Sequence, residues 1–144
     1  MRLMGLDYGA KTVGVALSDA LLLTSAPYET IFRTEENKLR KTFRRIEEIA
    51  KENDVGRIVL GLPLNMDDTH SEQTEKTLIF MEALKRRTGL PVELQDERLT
   101  SVAADEVLSE SGVAEKDRKQ YIDRIAAALI LKEYMDLHQE ELRN

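Results

Sequence analysis

The sequence has no cysteine and no tryptophan, and only two histidines among its 144 residues. The missing cysteines exclude disulfides, thiolate nucleophiles and zinc fingers together. His70 and His138 lie far apart in sequence, so a histidine-rich metal site is not expected. Any metal here is expected to be a hard cation held by oxygen. Long apolar runs are missing as well. The longest, IAAALIL (125–131), is far too short to cross a bilayer. The opening residues carry an acid, Asp7, inside their apolar stretch, which does not read as a secretory signal. The expectation is a soluble, cytoplasmic protein with no membrane partner. There is no repeat, no low-complexity segment and no Pro/Gly-rich linker, so 1–144 is expected to form a single domain. A chain of this length buries roughly 68–70% of its unfolded surface and needs no covalent staple.

Charge is what the chain has in quantity. The net charge of −6 counts against a general nucleic-acid coat protein. It leaves room for a site built of carboxylates, whose negative charge a bound metal offsets. The basic residues are unevenly spread. KLRKTFRR (38–45) holds five of them and no acid, and KRR (85–87) is a second cluster. A solvated helix face and a phosphate-contacting stripe are both consistent with the first cluster.

Residues 2–8 and 13–19 read as strands joined by the glycine turn YGAKT, and 26–33 as a third strand. Leu39, Phe43, Ile46 and Ala50 recur at helical spacing over 37–52, with Thr34 as the expected N-cap. RIVLGLP (57–63) reads as a buried strand stopped by proline. A helix capped at Thr69 or Ser71 runs to Thr88, with Phe80, Met81 and Leu84 inward, and ends at Gly89 and Pro91. PVELQDE (91–97) is a further strand. Thr100 or Ser101 caps the next helix, which reaches about Ser109. The last, about 118–138, carries Ile122, Ala126, Leu129, Ile130 and Leu137 on one face. The order β-β-β-α-β-α-β-α-α predicts an α/β fold. It is a mixed five-stranded sheet, three antiparallel strands followed by two reached by crossover, flanked by helices.

Three acids stand out by position. Asp7 lies on the strand that such a sheet places centrally. Glu97, beside Asp96, ends the last strand, where α/β sheets bind ligands. Asp123 lies early on the final helix. At 100° per residue, Ile130 projects about 20° from it, and Ala126 and Ala127 about 60° and 40°. Asp123 therefore borders the apolar face. The alanines at 126–128 let that helix approach a sheet closely. Three carboxylates brought together without a cation repel and resist ionisation. Mg²⁺ or Mn²⁺ relieves this and serves phosphoryl chemistry without a protein nucleophile. Each acid also has a plainer reading: a satisfied strand acid, a strand-end turn, a helix N-terminal acid. Lys11 after the glycine turn, Asn65 at the end of GLPLN and Arg98 beside Glu97 are weaker candidates for substrate contact. Lys11 is equally consistent with a solvated lysine and Asn65 with a turn-former, and Arg98 could pair with Glu97.

With LDYGAKTVGVALSD, GLPLNMDDT, DERLTS and DRIAAALIL in this order, the sequence resembles the YqgF family over about residues 2–136. That group is ribonuclease H-like. Its members are described as Holliday junction resolvases and as nucleases maturing the small-subunit ribosomal RNA precursor. The resemblance implies the ribonuclease H-like fold and a metal site formed by Asp7, Glu97 and Asp123. The family's loop usually reads NMDGT; here Asp68 stands at the glycine. If that position has positive φ, aspartate tolerates it better than most residues.

The expected function is thus a metal-dependent nuclease, most simply one that processes the 5′ end of the small-subunit ribosomal RNA precursor, working with pre-ribosomal particles. A Holliday junction resolvase acting on branched DNA is the alternative, and it would need a homodimer rather than a monomer. Two other classes remain. One is a non-catalytic RNA- or protein-binding module. The other is an actin-like phosphate-binding ATPase relative, suggested by D-x-G-x-K-x-x-G but lacking a second domain. Aromatic residues make up 5% of the chain and are scattered. Reading of single strands by stacking is therefore not expected, and recognition by shape is.

Overall fold

The computed structural model describes residues 1–98 and 100–143, without the side chains of 100–102, 115–117, 119, 120 and 143. Among the described residues the strands are β1 (Arg2–Tyr8), β2 (Thr12–Ser18), β3 (Ser25–Phe32), β4 (Val55–Leu62) and β5 (Val92–Asp96). They form one sheet in the order β3-β2-β1-β4-β5. β1–β2 and β2–β3 pair antiparallel, while β1–β4 and β4–β5 pair parallel. The first strand is central, as the crossover pattern requires, and the mixed five-stranded sheet matches expectation.

The helices are α1 (Arg40–Glu52), α2 (Glu72–Thr88), α3 (Thr100–Glu110), α4 (Glu115–Leu137) and a short α5 (Gln139–Arg143). Strand alternation sends successive side chains to opposite faces. On one face Met4, Leu6, Val13, Val15, Ile58 and Leu60 meet α1 and α2 through Phe43, Ile46, Phe80 and Leu84. Phe80 stacks on Tyr8 at 4.1 Å and on Phe43 at 5.2 Å between ring centroids. On the other face Leu3, Ala16 and Val59 meet α4 through Ala127, Ala128, Ile130, Leu131, Tyr134 and Met135.

Local chemistry accounts for most boundaries. Ser71 caps α2 in a reciprocal capping box with Thr74, and Gly89 ends it at φ 70°. Two expectations fail at α1 and α4. Helix α1 begins at Arg40 rather than near Asn37, and its N-cap is Leu39 with no side-chain hydrogen bond, so Thr34 does not cap it. Leu137 is 68% exposed, because the buried stripe of α4 follows Ile130, Leu131, Tyr134 and Met135 and turns away before Leu137. The expected caps Thr100 and Ser101 lie outside the described side chains. No described helix is long and apolar enough to cross a membrane.

Candidate active site

α4 lies against the sheet backbone because small residues clear its path. A Cβ on Gly14 would sit 1.9 Å from the carbonyl oxygen of Asp123. One on Gly5 would sit 2.7 Å from the carbonyl oxygen of Ala127. No side chain larger than hydrogen fits either contact, so these glycines fix the height and register of α4. Gly14 pairs with Asp7 across β1–β2. The strand position carrying Asp7 and the helix turn carrying Asp123 therefore meet at one backbone contact.

Glu97 comes from the other side. It follows β5, and its N–H donates to the carbonyl of Leu62 at the end of β4. Its carboxylate carbon lies 3.0 Å from where a Cβ on Gly61 would be. Leu6 pairs with Leu60 across β1–β4, so Gly61 is the next position beside Asp7. Asp7 is thus flanked by glycine on both neighbouring strands, at the C-terminal ends of β1, β4 and β5.

The carboxyls of Asp7 and Glu97 hydrogen-bond each other, which requires a proton between them. Burial first, and the nearby charge of Asp123 after it, raise Asp7 to about 6, while the bond from Glu97 works against that rise. Burial and then the charge of Asp7 push Glu97 up to about 10. Glu97 is therefore the proton holder. Neither acid forms an ion pair with a described residue. Asp123 acts on both through its charge, but among the described residues no three acids stand close enough to hold a metal ion. The fold brings two of the three expected carboxylates into contact and anchors the third by its backbone.

Neighbouring Asp96 is pushed the opposite way. Arg98 donates to it through Nε at 2.8 Å and Nη2 at 2.5 Å, and this holds Asp96 below the usual carboxylate range. Arg98 does not pair with Glu97. Its Nη1 reaches Asp68 at 2.7 Å and the carbonyl oxygens of Asn65 and Met66 at 3.3 and 3.2 Å. It clamps the 64–69 loop to the end of β5. Asp68 sits at φ 69°, the left-handed conformation for which glycine is the default, and adds its carboxylate to that clamp. Asn65 spends its amide on Thr69 Oγ1 at 2.8 Å, which makes it a loop-former. Lys11 is exposed on the β1–β2 turn and makes no ion pair with a described residue. What sequence reasoning missed is Gly14 and Gly61 as space-makers; the available signal was glycine inside two strand patterns.

A family model described as "RuvX: Holliday junction resolvase" matches residues 1–137. The chain belongs to the RuvX family. This is the YqgF group that its four motifs resemble. A Lachnospira eligens relative described as "Putative pre-16S rRNA nuclease" is 57% identical over 140 residues, 97% of this chain and 100% of the relative. A Listeria monocytogenes relative with the same description is 47% identical over 136 residues, 94% of this chain and 98% of its own. Membership of the RuvX family makes the chain a nuclease, a hydrolase of phosphodiester bonds.

Solved structures place the fold independently. Thermus thermophilus RuvC in complex with a Holliday junction substrate superposes with a TM-score of 0.60 at 15% identity, covering 96% of each chain. The fowlpox virus Holliday junction resolvase gives 0.56 at 16% identity, covering 95% of this chain and 99% of that one. At such identities the likeness shows the ribonuclease H-like fold alone.

Proposed function

We propose that this nuclease is metal-dependent and that Asp7, Glu97 and Asp123 hold Mg²⁺ or Mn²⁺ at the strand ends. The carrying observation is the buried Asp7–Glu97 pair, which shares a proton, has no cation partner among the described residues and is flanked by two glycines. Oxygen donors of this kind suit a hard cation. Without one the pair retains a proton on Glu97, which the raised values of both groups reflect. A bound divalent ion supplies Lewis acidity toward a phosphoryl oxygen. Everything else falls to the chain itself. To hold the ion, Glu97 would give up its proton and Asp123 would join the pair from its anchored backbone. Gly14 lets the α4 backbone, and Gly61 the Glu97 carboxyl, close in beside Asp7. Lys11 meets a neighbouring phosphate from the turn, and Arg98 ties the 64–69 loop to the end of β5.

The substrate supported best is the small-subunit ribosomal RNA precursor, processed at its 5′ end in the cytoplasm by residues 1–144 acting as one domain, in contact with pre-ribosomal particles. The description of the two relatives as pre-16S rRNA nucleases supports the ribosomal RNA precursor as substrate. A second reading, a Holliday junction resolvase, is favoured by the description of the matching family model. Side-by-side cleavage of a precursor RNA fragment and a four-way DNA junction, with Mg²⁺, Mn²⁺ or EDTA, separates them. Precursor cleavage that needs metal and vanishes in Asp7→Asn is expected. Activity surviving either EDTA or that substitution overturns the metal–carboxylate reading. RNA binding without any turnover would instead favour a non-catalytic module.

A further inference from the structure

Between β3 and α1 the chain opens a cavity of about 740 Å³ that the carboxylate site does not use. Phe32, Arg33, Lys38, Arg40 and Lys41 are among the residues lining it. No acid is among its described lining residues. Lys38 is paired with Glu35 at 3.2 Å, and nearby Arg45 is paired with Glu29 and Glu48. Arg40 and Lys41 form no ion pair with a described residue. Both lie in the first turn of α1, which has neither an acid nor a side-chain cap.

That arrangement is unfavourable by itself. The N-terminal end of a helix carries positive partial charge and unpaired N–H groups. Placing cations there, rather than an acid or a cap, leaves the turn short of an anion. Arg33 also lines the cavity. It reaches the carbonyl oxygens of Gly9 and Glu36 and lies over the Tyr8 ring, while its Nη1 is buried with no hydrogen-bond partner.

The cavity is tied to the active-site end of the sheet. The N–H of Arg33 donates to the carbonyl of Lys11 on the β1–β2 turn. Asp7 pairs with Gly14 and Gly14 with Thr30; two residues on, Thr12 pairs with Phe32. Phe32 therefore points to the same sheet face as Asp7, about 12 Å away by strand geometry. It is an edge-strand phenylalanine, 66% exposed, and it lines the cavity together with Arg40 and Lys41.

We infer that this cavity holds a single-stranded RNA segment leading from the cleavage site, with one base on Phe32 and a phosphate between Arg40, Lys41 and the first turn of α1. The inference rests on the nuclease reading of the Asp7 site. The contacts are sequence-independent, since every base has a stacking face and phosphate carries no sequence information. One exposed phenylalanine is not the multi-ring platform that would read sequence, so substrate choice stays with RNA shape.

The test is fluorescence anisotropy of a labelled twelve-nucleotide oligouridine in EDTA, which removes cleavage from the readout. Arg40→Gln/Lys41→Gln is expected to weaken binding about tenfold at 0.1 M salt. It should also flatten the log–log salt slope by about 0.7 for each phosphate that is no longer neutralised. Phe32→Ala is expected to weaken binding roughly 5- to 100-fold. The control Lys85→Gln/Arg86→Gln, in the second basic cluster, should bind like the unaltered protein. Unchanged affinity in both cavity variants, or an equal loss in the control, overturns the inference. All the altered side chains are solvent-facing, and a thermal melt checks that each variant folds. Hydrolysis of bis(p-nitrophenyl) phosphate with Mn²⁺ reads the carboxylate site alone and should persist in the cavity variants. If the unaltered protein binds oligouridine through Phe32 and Arg40 but cannot hydrolyse that small diester, the cavity stands and the metal–carboxylate reading of the Asp7 site fails.

Discussion

The two faces of the sheet solve different problems with the same strands. Toward α1 and α2 the strands present Met4, Leu6, Val13, Val15, Ile58 and Leu60. These are large apolar side chains, each worth about 1.5–3 kcal/mol when buried. Toward α4 the same strands present Leu3 and Val59 but otherwise Gly5, Gly14, Ala16 and Gly61. The first face holds the fold by volume. The second gives up volume so that one helix can touch backbone, and it spends the space gained on buried carboxyls. Stability and chemistry are thereby divided across a single sheet.

The sharpest way to break that division is to remove the acid that has no role on the packing side. Asp7→Asn is expected to reduce metal-dependent cleavage by on the order of 10³-fold. The same substitution should raise the melting temperature of the metal-free protein near pH 8, because it deletes a buried charge. A lower melting temperature there would contradict the burial argument. Next come paired small-to-large and large-to-small changes. Gly14→Ala should lift α4 at Asp123 and abolish activity while costing about 3 kcal/mol or more by overpacking. Leu60→Ala should cost about 2–5 kcal/mol through a cavity yet keep turnover per folded molecule. Denaturant melts combined with cleavage rates decide whether the faces are separable.

A third test uses pH. The folded state raises Asp7 from 3.8 to about 6 and Glu97 further. The native protein therefore holds protons that the unfolded chain has already released. The stability this contributes is fully present below about pH 4 and is lost as pH rises through about 6, with Glu97 extending the decline upward. For Asp7 the loss is about 2–3 kcal/mol. Melts in EDTA should fall over this range in the unaltered protein and fall less in Asp7→Asn. Mg²⁺ should restore stability most at alkaline pH, since it competes with protons. The smallest effect expected is that of Asp68→Gly. It removes an exposed ion pair with Arg98 worth about 0–1 kcal/mol while keeping the left-handed backbone. Hydrogen exchange in the 64–69 loop should rise modestly, with little change in melting temperature.

Much of this is visible in the sequence. Among the described residues, period-two and helical patterns locate the five strands and the four long helices, and Asp7 announces itself as an acid in an apolar strand. Glu97 is separable from Asp96 only by position; the structure shows the cause, an Arg98 that takes Asp96 and leaves Glu97 buried. Arg98 and Asn65, candidates for substrate contact by sequence, are engaged with the loop, because a sequence does not show which partner a long polar side chain finds. Thr34 suits a cap by residue type. The chain instead runs on to Leu39 and leaves α1 uncapped. The glycine floor stays hidden for a different reason: strand glycines read as weak spots until a helix is seen to rest on them.

That floor has a consequence for anyone altering this protein. Where backbone rests on backbone, there is no side chain to trim and none to enlarge, so the vertical position of α4 cannot be tuned by degrees. The packing face can be rewritten piece by piece with compensating substitutions. The α4 face behaves like a machined joint with a single tolerance, and engineering for heat resistance should therefore begin on the side of Phe80 and leave Gly5 and Gly14 untouched.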